Sequence, residues 1–319
     1  MVSLLNDGFH QPVLLQEVLQ ALKMEADGIY IDATYGRGGH SDAILAALGA
    51  GGRLLAIDRD PEAVAAARRR HGRDSRFEVA HAPFSELLSL VRERGWLGRV
   101  CGVLLDLGVS SPQLDDGRRG FGFRLDGPLD MRMDSSTGVP LADWLASASE
   151  QEISTVLRDY GEERNHRRLA RAIVAARAQR PLRTTGQLAD LVKTVIRPRP
   201  ARAKKDPATR TFLAFRIFVN KELEQVRQVL PQVVEVLKPA GRLAVISFHS
   251  LEDRIVKQFL RDQSRGRVLP AKLPVPGVVD GGPLKVIGRA QRASDAEIQR
   301  NPRARSAVLR VAEKRESTE

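Results

Sequence analysis

Between residues 29 and 110, short apolar runs alternate with segments whose apolar positions recur every three or four residues. The runs at 29–33, 53–57, 76–80 and 100–105 have strand length and are bounded by Gly, Asp and Pro. The segments 41–48, 61–70 and 84–94 between them carry helical periodicity. Pro61 suits a first helical position, with Asp60 as its N-cap. Strands alternating with short helices predict βαβ units, hence an α/β fold whose parallel sheet is covered on both faces.

From 141 to 205 the alternation stops. The periodicity there predicts helices alone, over 141–148, 151–159, 163–178 and 187–196. This divides the chain into a core formed by 1–140 and 206–319 and a helical insertion over 141–205. Apolar positions from Phe212 to Leu237 then step by three and four as one helical face, expected to kink or break at Pro231. Residues 238–241 are expected to end that helix and 242–248 to form a fifth strand. Two further strand-like runs lie at 284–287 and 307–311, after a Pro- and Gly-rich loop over 265–283.

Composition sharpens the reading. Fifty-one Lys and Arg against 39 Asp and Glu give a net charge of +12 in 319 residues. Such a balance fits a polyanionic partner, RNA or DNA, although an Arg-rich composition alone would also raise the charge. Basic residues concentrate in the insertion, with eight Arg from Arg158 to Arg183 against three acids, followed by a basic run over 197–205. Cys101 is the single cysteine and sits in an apolar run, so no disulfide framework exists and a reducing cytoplasm fits. The N-terminal residues lack a signal-peptide pattern, and no stretch reaches the roughly 18 apolar residues of a membrane span. The six His and one Cys show neither H-x-E nor C-x-x-C spacing, and no metal is expected.

The strand ends carry the chemistry. The first strand leads into D-A-T-Y-G-R-G-G-H-S over 32–41. Its glycines let the backbone turn tightly and approach a ligand, but G-x-G-G is not the G-x-G-x-x-G of a pyrophosphate cradle. A cofactor without phosphate, such as S-adenosylmethionine, fits better; a merely tight turn stays open as the plain alternative. The second strand ends at Asp58, placed to accept hydrogen bonds from the two ribose hydroxyls of an adenosyl group. Phe84, just past the third strand, can stack on adenine or simply pack in the core.

After the fourth strand comes D-L-G-V-S-S-P-Q-L-D over 106–115. The exocyclic amine of a base is a weak nucleophile, so a site that methylates it must orient the lone pair by accepting its N–H groups. Asp106, Ser110, Ser111 and Gln113 offer acceptors. Arg119, Phe121, Phe123 and Arg132 follow closely and could contact an extruded base and its phosphates; His249, after the fifth strand, could line the same cleft. A DNA amino-methyltransferase would usually show (D/N/S)-P-P-(Y/F/W) where this chain has Ser-Ser-Pro-Gln. An RNA-binding factor with a vestigial fold is the non-enzymatic reading.

In order along nearly the whole chain, these segments resemble the ribosomal RNA small subunit methyltransferase H (MraW) family of bacteria. The matching stretches are H-Q-P-V-L-L from His10, 32–41, 58–60, 106–115, R-G-F from Arg119, P-L-D-M-R-M-D from Pro128, A-T-R-T-F from Ala208, V-N-K-E-L from Val219, 246–254 and N-P-R-A-R-S from Asn301. The resemblance implies a class I S-adenosylmethionine-dependent methyltransferase core with an inserted helical domain. It also implies N4-methylation of one cytidine in 16S rRNA on the small ribosomal subunit. As cofactor residues it implies Gly38, Gly39, His40, Asp58, Phe84, Asp106 and Gln113. The chain departs from the family pattern in F-G-F from Phe121 in place of F-S-F, F-L-A-F from Phe212 in place of F-Q-A, and P-A-G from Pro239 in place of P-G-G.

Overall fold

The computed structural model describes residues 12–196, 206–265 and 281–316. The basic run at 197–205, the first two residues of H-Q-P-V-L-L and most of the 265–283 loop lie outside the described residues. The first half of the chain forms α1 (Leu15–Leu22), β1 (Ile29–Asp32), α2 (Gly39–Ala47), β2 (Arg53–Asp58), α3 (Pro61–His71), β3 (Phe77–His81), α4 (Leu87–Glu93) and β4 (Val100–Asp106). Helices follow: α5 (Ser111–Asp115), α6 (Leu141–Ser147), α7 (Glu150–Gly161), α8 (His166–Gln179), α9 (Thr185–Val195), α10 (Ala208–Asn220) and α11 (Glu222–Val236). The chain closes with β5 (Leu237–Ser247), α12 (Ser250–Arg265), β6 (Leu284–Arg292), α13 (Asp295–Arg300) and β7 (Val308–Lys314).

Two compact units result. One comprises the chain up to Gly108 and again from Leu223; the other is Val109–Glu222. The first unit holds one sheet of seven strands in the order β3-β2-β1-β4-β5-β7-β6. All of its pairs are parallel except those of β7, which runs antiparallel to β5 and to β6. This order, with the seventh strand reversed between the fifth and sixth, is that of class I methyltransferases.

The sheet is apolar on both faces because successive strand residues point to opposite sides. Ile31, Leu55, Val103, Leu105 and Val245 enter one buried cluster, with Val226, Leu230 and Val233 of α11. Their neighbours Tyr30, Leu54, Leu104, Ala244 and Ile246 enter the other, with Val18 and Leu22 of α1.

In the second unit, Leu129 and Met131 share a cluster with Leu145 of α6, Leu157 of α7, Ile173 of α8, Leu188 of α9 and Phe215 of α10. Asn220 accepts from Met133 N–H at 2.7 Å and donates to Met131 O at 2.8 Å. Residues 128–133 are thereby tied to the helices, and the unit extends beyond 141–205 at both ends.

Two expectations are corrected, and one unassigned segment is filled. α11 runs unbroken through Pro231, and the chain turns instead at Lys221, whose φ of 51° is left-handed. The proline removes one N–H bond, and burial of Val226, Leu230 and Val233 on the apolar face of α11 offsets that loss. Residues 238–241 do not separate helix from strand. β5 begins at Leu237, opposite Val100, and the segment forms an irregularity within it, with Ala240 at φ 60°. Residues 250–265, unassigned by periodicity, form α12, which buries Glu252, Val256 and Leu260. Among the described residues, no helix is long and apolar enough to cross a membrane.

Candidate active site

The chain runs from β1 outward through β2 to β3 on one side of the sheet, and from β4 to β5 on the other. Strand order therefore reverses between β1 and β4, where open α/β sheets form a crevice at the strand carboxyl ends. Asp32 ends β1 and Asp106 ends β4. Thr34 locks the two ends together, its Oγ1 accepting from Asp106 N–H at 2.7 Å.

Beyond β1 the chain turns through Gly38 at φ 77°, and α2 starts at Gly39 without a side-chain cap. The first-turn N–H groups of α2 stay available to a ligand carboxylate, with the positive end of the helix dipole behind them. Gly38 is also required by packing, since a Cβ there would lie 2.4 Å from Tyr35 Oη. The glycine thus has two structural reasons besides close approach of a cofactor.

Asp58 braces this loop from the end of β2. Its Oδ2 accepts Gly36 N–H and its Oδ1 accepts Asp60 N–H, both at 2.8 Å. Burial pushes its carboxyl up to about 6 despite these bonds. Asp60 caps α3 by accepting Glu62 N–H at 3.0 Å. Asp32, 1% exposed, accepts from Ser41 Oγ at 2.7 Å, and burial raises it to about 6 as well. Phe84 opens a short 3-10 turn after β3 and is half-buried against the core.

His40 and Asp106 face one another. Burial lowers the His40 imidazole to about 4, so the ring is neutral. Its Nε2 is 3.1 Å from Val13 O, a contact that needs hydrogen on Nε2. Nδ1 then carries a lone pair, and it lies 3.6 Å from Asp106 Oδ2. Two acceptors at that separation are reconciled by a proton on Asp106. Its carboxyl is indeed held well above the usual range, first by burial and then by the charges of Asp32 and Glu252. The other oxygen, Oδ1, is buried and has no hydrogen-bond partner among the described residues. An unsatisfied buried carboxylate oxygen is costly in the free protein and suits a ligand that donates to it.

Glu252 completes this acidic group. It is 1% exposed, its Oε2 accepts Phe248 N–H at 2.9 Å, and its Oε1 lies 3.0 Å from His249 Nε2. His249 is tied to Glu252 through Nδ1, which accepts Glu252 N–H at 3.4 Å, whereas its buried Nε2 makes no hydrogen bond among the described residues.

Residues 7–315 match the MraW methylase family. The chain belongs to that family. Among its relatives are the ribosomal RNA small subunit methyltransferases H of Thiobacillus denitrificans, 55% identical over 306 residues, and of Azoarcus sp., 56% identical over 306 residues. The alignments cover 96% of this chain in both cases, and 97% and 96% of those proteins. A solved rRNA methylase from Streptococcus thermophilus is similar at 11% identity and a TM-score of 0.43, covering 97% of this chain and 99% of that one.

The remaining family-pattern residues belong to the second unit. Ser110 precedes α5, and its N–H donates to Gln113 Oε1 at 3.0 Å; Gln113 is buried, whereas Ser111 is half-buried. Arg119 is 9% exposed and donates to Met133 O at 2.8 Å and Arg132 O at 3.3 Å. Its guanidinium also lies 5.9 Å from the centre of the buried Phe121 ring. Arg132 forms a two-point pair with Asp130, at 2.8 Å on each side. Phe123 meets Phe212 edge to face at 4.9 Å. These four build the 119–133 loop of the family, each through contacts inside its own unit. Sequence reading passed over Thr34 and gave Glu252 no individual role. A hydroxyl two residues past a strand-end Asp and an acid in the first turn of a helix were the available signals.

Proposed function

We propose that this protein transfers a methyl group from S-adenosylmethionine to the N4 amine of one cytidine in 16S rRNA, on the small ribosomal subunit in the cytoplasm. The observation that carries the reading is Asp106 Oδ1, buried and without a partner among the described residues, at the strand-order reversal of a methylase-family sheet. The net charge of +12 favours a polyanionic substrate, and the relatives are named for ribosomal RNA.

The donor set suits the cofactor. Asp58 accepts from the ribose hydroxyls, Phe84 offers a face to adenine, and the uncapped start of α2 at Gly38, Gly39 and His40 receives the carboxylate. The bound cofactor supplies an electrophilic methyl group on a positively charged sulfur. Asp32, Asp106 and Glu252 give this end of the sheet the negative charge that favours such a cation, and the cation in turn favours the ionised form of Asp106.

Asp106 Oδ1 then accepts an N–H of the cytosine amine and orients its lone pair. S-adenosylmethionine, held by Asp58, Phe84 and the start of α2, would supply the methyl group to that nitrogen and keep the carbon–sulfur electron pair as the departing thioether. The amine proton passes to Asp106, whose raised basicity fits it to receive one. Gln113 is assigned to the cofactor by the family pattern, and Ser110 and Ser111 are assigned to the amine as hydroxyl acceptors of the turn after β4. Arg119, Phe121, Phe123 and Arg132 are assigned to holding the loop that meets the extruded nucleotide, and His249 to fixing Glu252. A covalent adduct through sulfur has no support, since Cys101 is the second residue of β4, at the opposite end from Asp106.

The test is incubation with methyl-labelled S-adenosylmethionine and either undermethylated small subunits or duplex DNA, followed by mass spectrometry of rRNA fragments. Label on the cytosine amine of one 16S rRNA fragment is expected; label on DNA alone, or on neither, would overturn the reading.

A further inference from the structure

One family motif, N-P-R-A-R-S over 301–306, has no part in the chemistry above. Its surroundings are strongly basic, with six Lys and Arg against two acids over 285–306. Of the two acids, Glu297 is engaged, its Oε1 accepting Leu14 N–H at 2.8 Å.

The sheet register fixes where this segment lies. Asp106 pairs with Ile246, Ile246 with Leu309, and Leu309 with Gln291. The end of β6 therefore occupies the same cross-sheet row as Asp106. Three strand spacings of about 4.8 Å put it roughly 14 Å away. Arg292 is the next residue, still on the carboxyl-end edge of the sheet.

The turn that follows is built to hold its shape. Asn301 is 8% exposed and caps it by accepting Arg303 N–H at 3.2 Å. Ala304 and Ala307 are buried, in the same cluster as Tyr35 of the glycine loop and Ile246 of β5. Burial of Ala304 leaves Arg303 and Arg305 on either side exposed to solvent. Arg289, Arg292 and Arg300 are exposed as well. Among the described residues, none of Arg289, Arg292, Arg300 and Arg305 has a carboxylate within ion-pair distance. Guanidinium groups presented on a rigid support, with no internal anion, match phosphate oxygens in charge and in fork geometry.

We infer that Arg292 and Arg305, on the β6 end and the 301–306 turn, form a clamp for the substrate RNA backbone on the sheet edge that carries Asp106. This rests on the function proposed above and adds to it a second place of contact, apart from the insertion and the 197–205 run. The clamp contacts phosphate, so it positions the RNA without reading its sequence.

The experiment uses the full chain with Arg292→Ala and Arg305→Ala combined, against undermethylated small subunits over a range of salt. The slope of log affinity against log salt should shrink by about 0.7 per lost contact, about 1.4 in all. At about 0.15 M salt this corresponds to roughly tenfold weaker binding. KM for the particle should rise to match, with kcat at saturating particle and the calorimetric affinity for S-adenosylmethionine unchanged. The Arg292→Lys and Arg305→Lys pair should keep the parental slope. An unchanged slope in the alanine variant overturns the clamp alone. So does a lysine variant as impaired as the alanine one, since it would show a structural role. A parent protein with no salt-dependent binding to the particle overturns the functional reading and the clamp together.

Discussion

The carboxyl-end edge of the sheet carries opposite charge in its two halves. From β2 to β5 its side chains are acids, buried at Asp32 and, just past β5, Glu252, and half-buried at Asp58 and Asp106. From β6 to the turn before β7 they are exposed arginines. The acidic half raises its own carboxyl pKa values, because burial and mutual repulsion oppose ionisation. The basic half leaves its guanidinium groups hydrated and ready to exchange water and counterions for phosphate. Under the proposed function a cationic cofactor and a polyanionic substrate both use this edge, and the division keeps the attraction for one from cancelling the attraction for the other.

The sharpest way to break this comparison is to neutralise the acid at its centre. Asp106→Ala removes the acceptor that orients the amine and takes its proton, and kcat should fall about 10³-fold, within the range for loss of a general base. Asp106→Asn keeps the volume but not the proton acceptor and should be nearly as slow. Single-turnover kinetics with saturating cofactor would decide it, and near-parental rates in either variant would remove Asp106 from the chemistry. Next in size is Asp58→Ala. Losing a charged acceptor for two hydroxyls costs roughly 1.5–3 kcal/mol, so cofactor affinity by calorimetry should drop about 10–100-fold. If kcat at saturating cofactor fell equally far, Asp58 would belong to catalysis and not to binding.

How much of this was legible in the sequence differs between the same two halves. Continuous apolar runs and period-3.6 segments located β1 to β4, because β1, β2 and β4 are buried on both faces and the runs are bounded by Gly, Asp or Pro. Asp58 and Asp106 could be picked out because they end such runs. The acidity of the site was not legible. It depends on Asp32, Asp106 and Glu252 converging across the sheet, and register is a property of pairing that no local pattern contains. The same holds for the 301–306 motif, visible as a string but placed beside Asp106 only by the order β4-β5-β7-β6. In the second unit, Arg119 and Arg132 read as substrate contacts because they are charged and flank phenylalanines. Their two-point bonds to Met133 O, Arg132 O and Asp130 depend on how the 119–133 loop folds back on itself.

A third test exploits the cost of burying charge. Asp32 is buried with its pKa raised from 3.8 to about 6, about two units. At about 1.4 kcal/mol per unit, its ionised form costs the folded protein on the order of 3 kcal/mol. The folded state binds the proton more tightly than the unfolded chain. This penalty is therefore absent below the unfolded value near 4, grows as pH rises, and is complete above about 6. Asp32→Asn keeps an acceptor for Ser41 Oγ and should stabilise the cofactor-free protein at neutral pH by roughly 1–3 kcal/mol, while weakening cofactor binding. Denaturant unfolding with and without S-adenosylmethionine checks both halves; destabilisation of the free protein would mean that losing the second acceptor, which takes Thr34 N–H at 3.2 Å, outweighs the burial penalty.

The smallest effect is the one most diagnostic of the acidic half as a unit. Raised carboxyl pKa values mean that part of this group enters the binding reaction protonated, whereas a sulfonium favours the ionised forms. Cofactor binding should therefore release protons. For Asp58, titrating near 6, the ionised fraction falls to about one tenth by about pH 5, and affinity should fall roughly tenfold between about pH 7.5 and pH 5. Calorimetry in two buffers of different ionisation enthalpy reads the released protons directly. Release should be greater at about pH 6 than at about pH 8, where Asp58 is already ionised. Asp58→Asn should bind weakly at every pH and lose its own share of the dependence, leaving the shares due to Asp32 and Asp106. If affinity stayed flat through this range in the parent protein, the carboxylates would already be ionised in the free state. The opposition between a desolvated acidic half and a hydrated basic half would then reduce to a difference in sign alone.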